Sequence, residues 1–174
     1  MRRLWAPWRA KYILGSKGCK GCFLCRHAKE KKKDRKNYVI LRSRYCFAIL
    51  NLFPYNNGHT MVTPYRHIRE MEYLSDAEML DLIKTTSRVI SMLKKTLKPH
   101  AFNVGMNLGR VAGAGLEGHF HIHIVPRWNG DTNFMPVIAG TKVISMSLED
   151  TYKKLKTKIS TMQSRYKTGT KRRG

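Results

Sequence analysis

The run His119-Phe120-His121-Ile122-His123-Ile124-Val125-Pro126 alternates imidazole rings with apolar side chains. A β-strand sends residues i, i+2 and i+4 to one face of its sheet. The pattern therefore predicts a strand with three histidines on one surface and Phe120, Ile122 and Ile124 packed into a core on the other. Pro126, which has no N–H to donate, is expected to end the ladder. A metalloprotease helix would place two zinc histidines at i and i+4, but strict alternation closed by a proline opposes a helix. Neighbouring imidazoles repel once protonated and each ring needs a hydrogen-bond partner. Such a row is better explained by chemistry than by stability.

With 174 residues the chain is long enough to bury a core of its own. One domain over 1–162 followed by a basic, mobile tail over 163–174 is the expected organisation. Neither a membrane span nor the apolar stretch of a signal peptide is apparent, so a cytoplasmic enzyme with no membrane contact is expected. Three of the four cysteines form the run Cys19-x-x-Cys22-x-x-Cys25. In a reducing compartment this reads as metal binding before disulfide bonding. The formal charge of +23 calls for an anionic partner, whether nucleotide, nucleic acid or acidic surface. Much of it lies in Lys29 to Lys36 and in the tail, which read as solvated segments, the tail being a candidate for nucleic-acid contact.

Tyr38 to Leu41 and Tyr45 to Leu50 read as an antiparallel hairpin, and His59 to Thr63 as a third strand ending at Pro64. Ser75-Asp76-Ala77-Glu78 is a capping-box sequence. The stripe Met79, Leu82, Ile83, Thr86, Ile90, Leu93 and Leu97 continues it as a helix that Pro99 stops. Phe102 to Asn107 reads as a fourth strand and the histidine run as a fifth. Ser147 starts a last helix carrying Leu148, Tyr152, Leu155, Ile159 and Met162 at helical spacing. The whole is an α+β domain: a mostly antiparallel sheet of about five strands with packed helices. The glycine-rich loop from Gly109 to Gly118 suits a phosphate site, because small residues let backbone amides approach anionic oxygens.

The alternating histidines resemble the motif of the histidine triad family of nucleotidyl hydrolases and transferases. Leu4-Trp5-Ala6-Pro7-Trp8-Arg9, Val125-Pro126-Arg127-Trp128, Gly130-Asp131 and Asn133-Phe134-Met135 are similar to its branch containing diadenosine tetraphosphate phosphorylases. The resemblance implies the histidine triad fold and cleavage of a phosphoanhydride in a nucleoside polyphosphate, by phosphorolysis or hydrolysis, through a covalent nucleotidyl-histidine. It makes His121 the nucleophile, a sound role for neutral imidazole at pH 7. It has His123 contact the phosphate and sets His59 nearby. Nucleotide contacts fall to Asn51 at the ribose, Asn107 at the phosphates, the loop residues Gly113, Ala114 and Gly115, and Trp128. Where the family often carries Gln, Ser or Thr, this chain has Ala114 and Gly115, so backbone amides must supply more of the binding. Arg127 and Arg110 are available to build a second anion site for inorganic phosphate. A zinc-bearing branch implies Cys22, Cys25, His67 and His119 as ligands of a structural zinc, although Cys19 forms an equivalent pair with Cys22 and free thiols remain an alternative. A homodimer is also implied. The competing class is a zinc-stapled basic module that binds nucleic acid.

Overall fold

The computed structural model describes residues 21–113, 118–131 and 144–169, with side chains to Lys158. Cys19, Ala114, Gly115, the segments 4–9 and 133–135 and the side chains of Ile159 and Met162 lie outside the described residues. Five strands form one antiparallel sheet: β1 (Val39–Arg42), β2 (Cys46–Leu50), β3 (Thr60–Pro64), β4 (Ala101–Gly105) and β5 (Ile122–Arg127), in the order β1-β2-β3-β5-β4. Helix α1 (Phe23–Lys29) precedes them, α2 (Asp76–Leu97) joins β3 to β4, and α3 (Leu148–Gly169) follows β5. Helix α3 runs seven residues beyond Met162, the last apolar residue of its expected stripe.

Alternation along the central strands gives the sheet two apolar faces. Cys46, Ala48, Leu50, Val62, Ile122 and Ile124 pack with α2 and with Tyr152 and Leu155 of α3. Phe47, Ile49 and Met61 face the other way and pack with Leu24 and Ala28 of α1. Strand β2 is therefore buried along its whole length. Helix α2 begins with the capping box its sequence announces, in which Ser75 Oγ accepts from Glu78 N and Glu78 Oε2 accepts from Ser75 N. Its buried face comprises Leu82, Thr85, Thr86, Val89, Met92 and Leu93. Ile83 was expected in that face but is 59% exposed. The true stripe turns toward Thr85 and Val89, whose hydroxyl and methyl groups fit the close approach of the sheet.

Charge near the amino terminus is tied down more firmly than its composition suggests. Asp34, within the lysine-rich run, accepts two bonds from the Arg42 guanidinium, whose Nη2 also donates to His27 O at 2.7 Å. Arg42 thereby satisfies carbonyls at the end of α1 and fixes that helix on β1. At the hairpin, Asp81 of α2 accepts from Ser43 Oγ and from Tyr45 N.

The histidine strand departs from its sequence reading at both ends. Its ladder starts at Ile122, because Pro64 at the corresponding point of β3 has no N–H. Phe120 is held instead by Ile68, whose carbonyl accepts from Phe120 N, and by Thr63, whose hydroxyl donates to Phe120 O. The ladder also continues through Pro126, which pairs with Phe102. Strand β3 begins at Thr60, opposite Ile124, so the edge on which Pro126 lacks its donor has no facing strand. Its carbonyl on that edge accepts from Asn56 Nδ2.

The turn into β3 requires glycine at one position. Gly58 has φ +74°, and a Cβ there would lie 2.6 Å from Leu97 Cδ1 and 3.2 Å from Leu93 Cδ2. Gly58→Ala combines left-handed strain with overpacking at the end of α2 and is expected to cost about 2–3 kcal/mol in urea unfolding. A loss under about 0.5 kcal/mol would show that the turn relaxes freely.

Candidate active site and metal centre

The triad divides into two groups. His119 turns toward α1, where Cys22 caps the helix and Cys25 lies in its first turn. Its Nδ1 is 3.2 Å from Cys22 Sγ, 3.4 Å from Cys25 Sγ and 3.3 Å from His67 Nδ1, and Cys25 Sγ is 3.3 Å from His67 Nδ1. All four ligand atoms lie within 4.8 Å of one another. Tetrahedral zinc with bonds of about 2.3 Å to sulfur and 2.0–2.1 Å to nitrogen requires ligand separations of about 3.3–3.8 Å, and the four separations given above, 3.2–3.4 Å, lie close to that range. His119 Nε2–H donates to Pro64 O at 2.9 Å, which directs the Nδ1 lone pair at the cluster, the usual supporting arrangement of a metal-bound histidine. Burial pushes the His119 imidazole down to about 4, favouring the neutral form a ligand needs. His67 is steadied by its neighbour Arg66, which donates to both oxygens of Glu78 at 2.9 and 2.7 Å.

His121, His123 and His59 form the second group. Ring centroids are 4.7 Å apart for His121 and His123 and 5.1 Å for His59 and His123. His59 enters because β3 and β5 pair Met61 with His123, which places the residue two before Met61 on the same face. His121 and His59 are buried, and His123 is partly so.

Hydrogen bonds fix which nitrogen of each ring carries the proton. His121 Nδ1 lies 2.8 Å from His119 O and must donate to it, which leaves a lone pair on Nε2. Tyr55 N–H donates to His59 Nδ1 at 3.1 Å, so His59 carries its proton on Nε2. That proton goes to His123 Nδ1 at 3.0 Å, and His123 in turn carries its own on Nε2. The result is an unprotonated nitrogen on His121 beside a donor on His123. Burial pushes His59 down to about 3 and His123 to about 4, and lowers His121 against the opposing pull of the His119 carbonyl. The group is neutral at pH 7. Neutral imidazole with a free lone pair can attack phosphorus directly, and an adjacent N–H can meet the charge that develops on oxygen.

Asn51 and Asn107 flank this group. Asn51 follows β2, with Nδ2 3.4 Å from His59 Nδ1 and Oδ1 accepting from Phe53 N. Asn107 lies two residues past Gly105, which pairs with His123, and so on the His121 side. Its Nδ2 is 3.4 Å from Gly113 O, and Gly113 itself has φ +88°. No described contact joins Trp128 to the triad: it follows the far end of β5, seven residues or about 23 Å along the chain from His121 by strand rise, and its own described contacts are with Asp131. Arg127 is neutralised locally, donating to Asp131 through Nε at 2.7 Å and Nη2 at 2.9 Å and to Asn103 through Nη1.

The family model of the HIT domain matches residues 32–130. The chain belongs to the HIT family. A protein named AP-4-A phosphorylase from Mycobacterium tuberculosis is 40% identical over 163 residues, spanning 90% of this chain and 84% of that protein. The asymmetrical bis(5'-nucleosyl)-tetraphosphatase of Schizosaccharomyces pombe is 32% identical over 93 residues, 53% of this chain and 50% of that protein. A zinc-bound histidine triad family protein from Mycobacterium smegmatis shares the fold with a TM-score of 0.67 at 21% identity, covering 83% of this chain and 96% of that one.

Sequence patterns do not disclose the groups that orient the HIT imidazoles. The carbonyls of His119 and Pro64 and the amide of Tyr55 carry no side-chain signature. Asn56, in the turn before His59, stood in a segment that read only as a turn.

The depressed histidines make stability depend on pH in one direction. His59 and His123 are neutral in the fold down to about 3 and about 4 but protonate in the unfolded chain near the ordinary value of about 6.5. Their stabilisation is complete above that value and declines as pH falls toward their folded values, since the unfolded state then binds more protons. Urea unfolding should show a loss of about 1–2 kcal/mol per histidine between pH 7 and pH 5, and His59→Asn should flatten the profile. An unchanged profile in that variant would show that His59 titrates alike in both states.

Proposed function

We propose that this HIT protein cleaves a phosphoanhydride bond of a dinucleoside polyphosphate such as diadenosine tetraphosphate, through a covalent nucleotidyl intermediate on His121 Nε2. The carrying observation is the bond from His121 Nδ1 to His119 O, which aims a free lone pair away from the strand and beside the His123 N–H. The substrate class is supported by the names of the two enzyme relatives, both of which act on such tetraphosphates.

In the first step the Nε2 lone pair of His121 attacks the α-phosphorus, an N–P bond forms, and the P–O bond to the remaining polyphosphate breaks with its electrons on the leaving oxygen. His123 Nε2–H donates to the phosphoryl oxygens as charge gathers there. Asn51 binds the ribose, and Asn107 with Gly113, Ala114, Gly115 and the other loop amides binds the phosphates. In the second step phosphate or water attacks the same phosphorus, the N–P bond breaks, and His121 regains its lone pair. Phosphate gives a nucleoside diphosphate and water a monophosphate. The 40% identical relative, named a phosphorylase, favours phosphate as the acceptor. With Arg127 held by Asp131, Arg110 and the loop amides are available to bind it.

Cys22, Cys25, His67 and His119 would hold a structural zinc that fastens α1 to the segment bearing His121, just ahead of β5. A closed set of two thiolates and two imidazoles leaves no position for substrate. The edge strand β4, which exposes Val104 at 47% with Met106 and Leu108 beyond it, supports the homodimer that the family resemblance implies. No described helix is long and apolar enough to cross a membrane, and a cytoplasmic setting accords with the free thiols of the metal cluster.

His121→Ala should lower turnover of diadenosine tetraphosphate about a thousandfold or more while the far-ultraviolet spectrum is preserved. Product analysis of the unaltered protein with labelled phosphate should place label in adenosine diphosphate. Near-normal turnover in the variant would remove His121 from the nucleophile's role.

A further inference from the structure

Asn56 is 5% exposed, carries no charge, and lies three residues ahead of His59. Every polar atom of its side chain is engaged. Nδ2 donates to Pro126 O at 3.0 Å and to Asp131 Oδ2 at 2.7 Å, while Oδ1 accepts from Asn57 N at 3.2 Å. Its backbone carbonyl accepts from His59 N at 3.1 Å. The two Nδ2 bonds reach the end of β5, seventy and seventy-five residues away in the chain. Together with the His59–His123 bond they fasten this turn to the strand that carries His123.

The next residue back is Tyr55, and what it holds is chemical rather than merely structural. Its N–H donates to His59 Nδ1, and its ring lies 4.7 Å from the His59 ring and 6.1 Å from the His123 ring. With Nδ1 of His59 committed as an acceptor, His59 can only donate from Nε2. His123 must then accept at Nδ1 and keep its proton on Nε2. If the Tyr55 amide drifted away, the His59 proton could move to Nδ1, and the His123 proton would follow to its own Nδ1. His123 would then present a lone pair, not a donor, to an anionic phosphoryl group.

We infer that Asn56 is a positioning residue: by pinning the Tyr55–His59 turn to the end of β5 it sets the tautomers of His59 and His123 and keeps the His123 Nε2–H available to the transferring phosphoryl group. The catalytic consequence rests on the proposed nucleotidyl transfer. The tautomer consequence does not.

The test is Asn56→Ala, read in two ways on the folded protein well below its unfolding temperature. Long-range nitrogen–proton correlation spectra distinguish protonated from unprotonated imidazole nitrogens. The unaltered protein should show His59 and His123 each protonated at Nε2, and the variant should show both rings as mixtures of tautomers. With diadenosine tetraphosphate, kcat should fall roughly ten- to a hundredfold while KM changes less than about threefold, since a group that strengthens only as charge develops acts on kcat. Should Asn56→Ala not fold, Asn56→Ser, which retains one donor, is expected to give the same tautomer mixing to a smaller extent. A folded variant whose His59 and His123 tautomers match the unaltered protein overturns the inference, whatever its stability. So does a variant with mixed tautomers and an unchanged kcat. If the unaltered protein does not turn over any dinucleoside polyphosphate, the nucleotidyl reading fails, and the spectra alone still decide the role of Asn56.

Discussion

The hydrogen bond from His121 Nδ1 to His119 O joins two chemistries that sit two residues apart. The carbonyl belongs to the residue whose imidazole faces the cysteines, and the donor is the ring proposed to attack phosphorus. Alternation from His119 to Ile124 makes this economical: one short segment supplies a candidate metal ligand, its own carbonyl, the proposed nucleophile and a neighbouring donor, while Phe120, Ile122 and Ile124 fix it from the other face. A metal held by His119 and His67 on one side and by α1 on the other would restrain the very peptide that orients His121. Metal binding and nucleophile orientation are thus expected to be coupled through a single backbone group.

Pro64 makes a related double contribution. Lacking an N–H, it ends the β3 ladder beside Phe120, and its free carbonyl takes the Nε2 proton of His119. A residue with an ordinary amide there would extend the ladder and hold the segment 119–121 closer to regular strand. The irregular stretch lets His119 swing toward α1 while His121 stays with His123.

Much of this was legible in the sequence because its cause is local. The capping box at Ser75, the hairpin and the turn before His59 are each set by neighbours along the chain, and each gave the element observed; the period-two histidines gave a strand, but one that begins at Ile122 and leaves His119 and His121 ahead of it. The pairing of Cys22 and Cys25 with His67 and His119 was legible through resemblance to a family, not through spacing, since the two pairs are far apart in sequence. What stayed hidden depends on long-range approach. Pro126 read as the end of a ladder because its one-sided exposure depends on where β3 starts. Ile83 read as core because helical phase alone does not say which neighbour lies above each residue. Asp34 read as part of a solvated run because its partner, Arg42, lies across a turn and also caps α1. The tautomer chain from Tyr55 to His123 runs through backbone groups that no residue type advertises.

Nucleotidyl transfer through His121 is tested most directly by trapping the intermediate. The unaltered protein, mixed with substoichiometric diadenosine tetraphosphate without added phosphate and quenched in alkali within one turnover, should yield one adenylylated peptide. Its modification should lie on the ring of His121 and be labile to acid, as an N–P bond is. An adenylyl group on His123 or His59, or turnover with no labelled peptide at any time within the first cycle, would contradict the assignment of His121 as nucleophile.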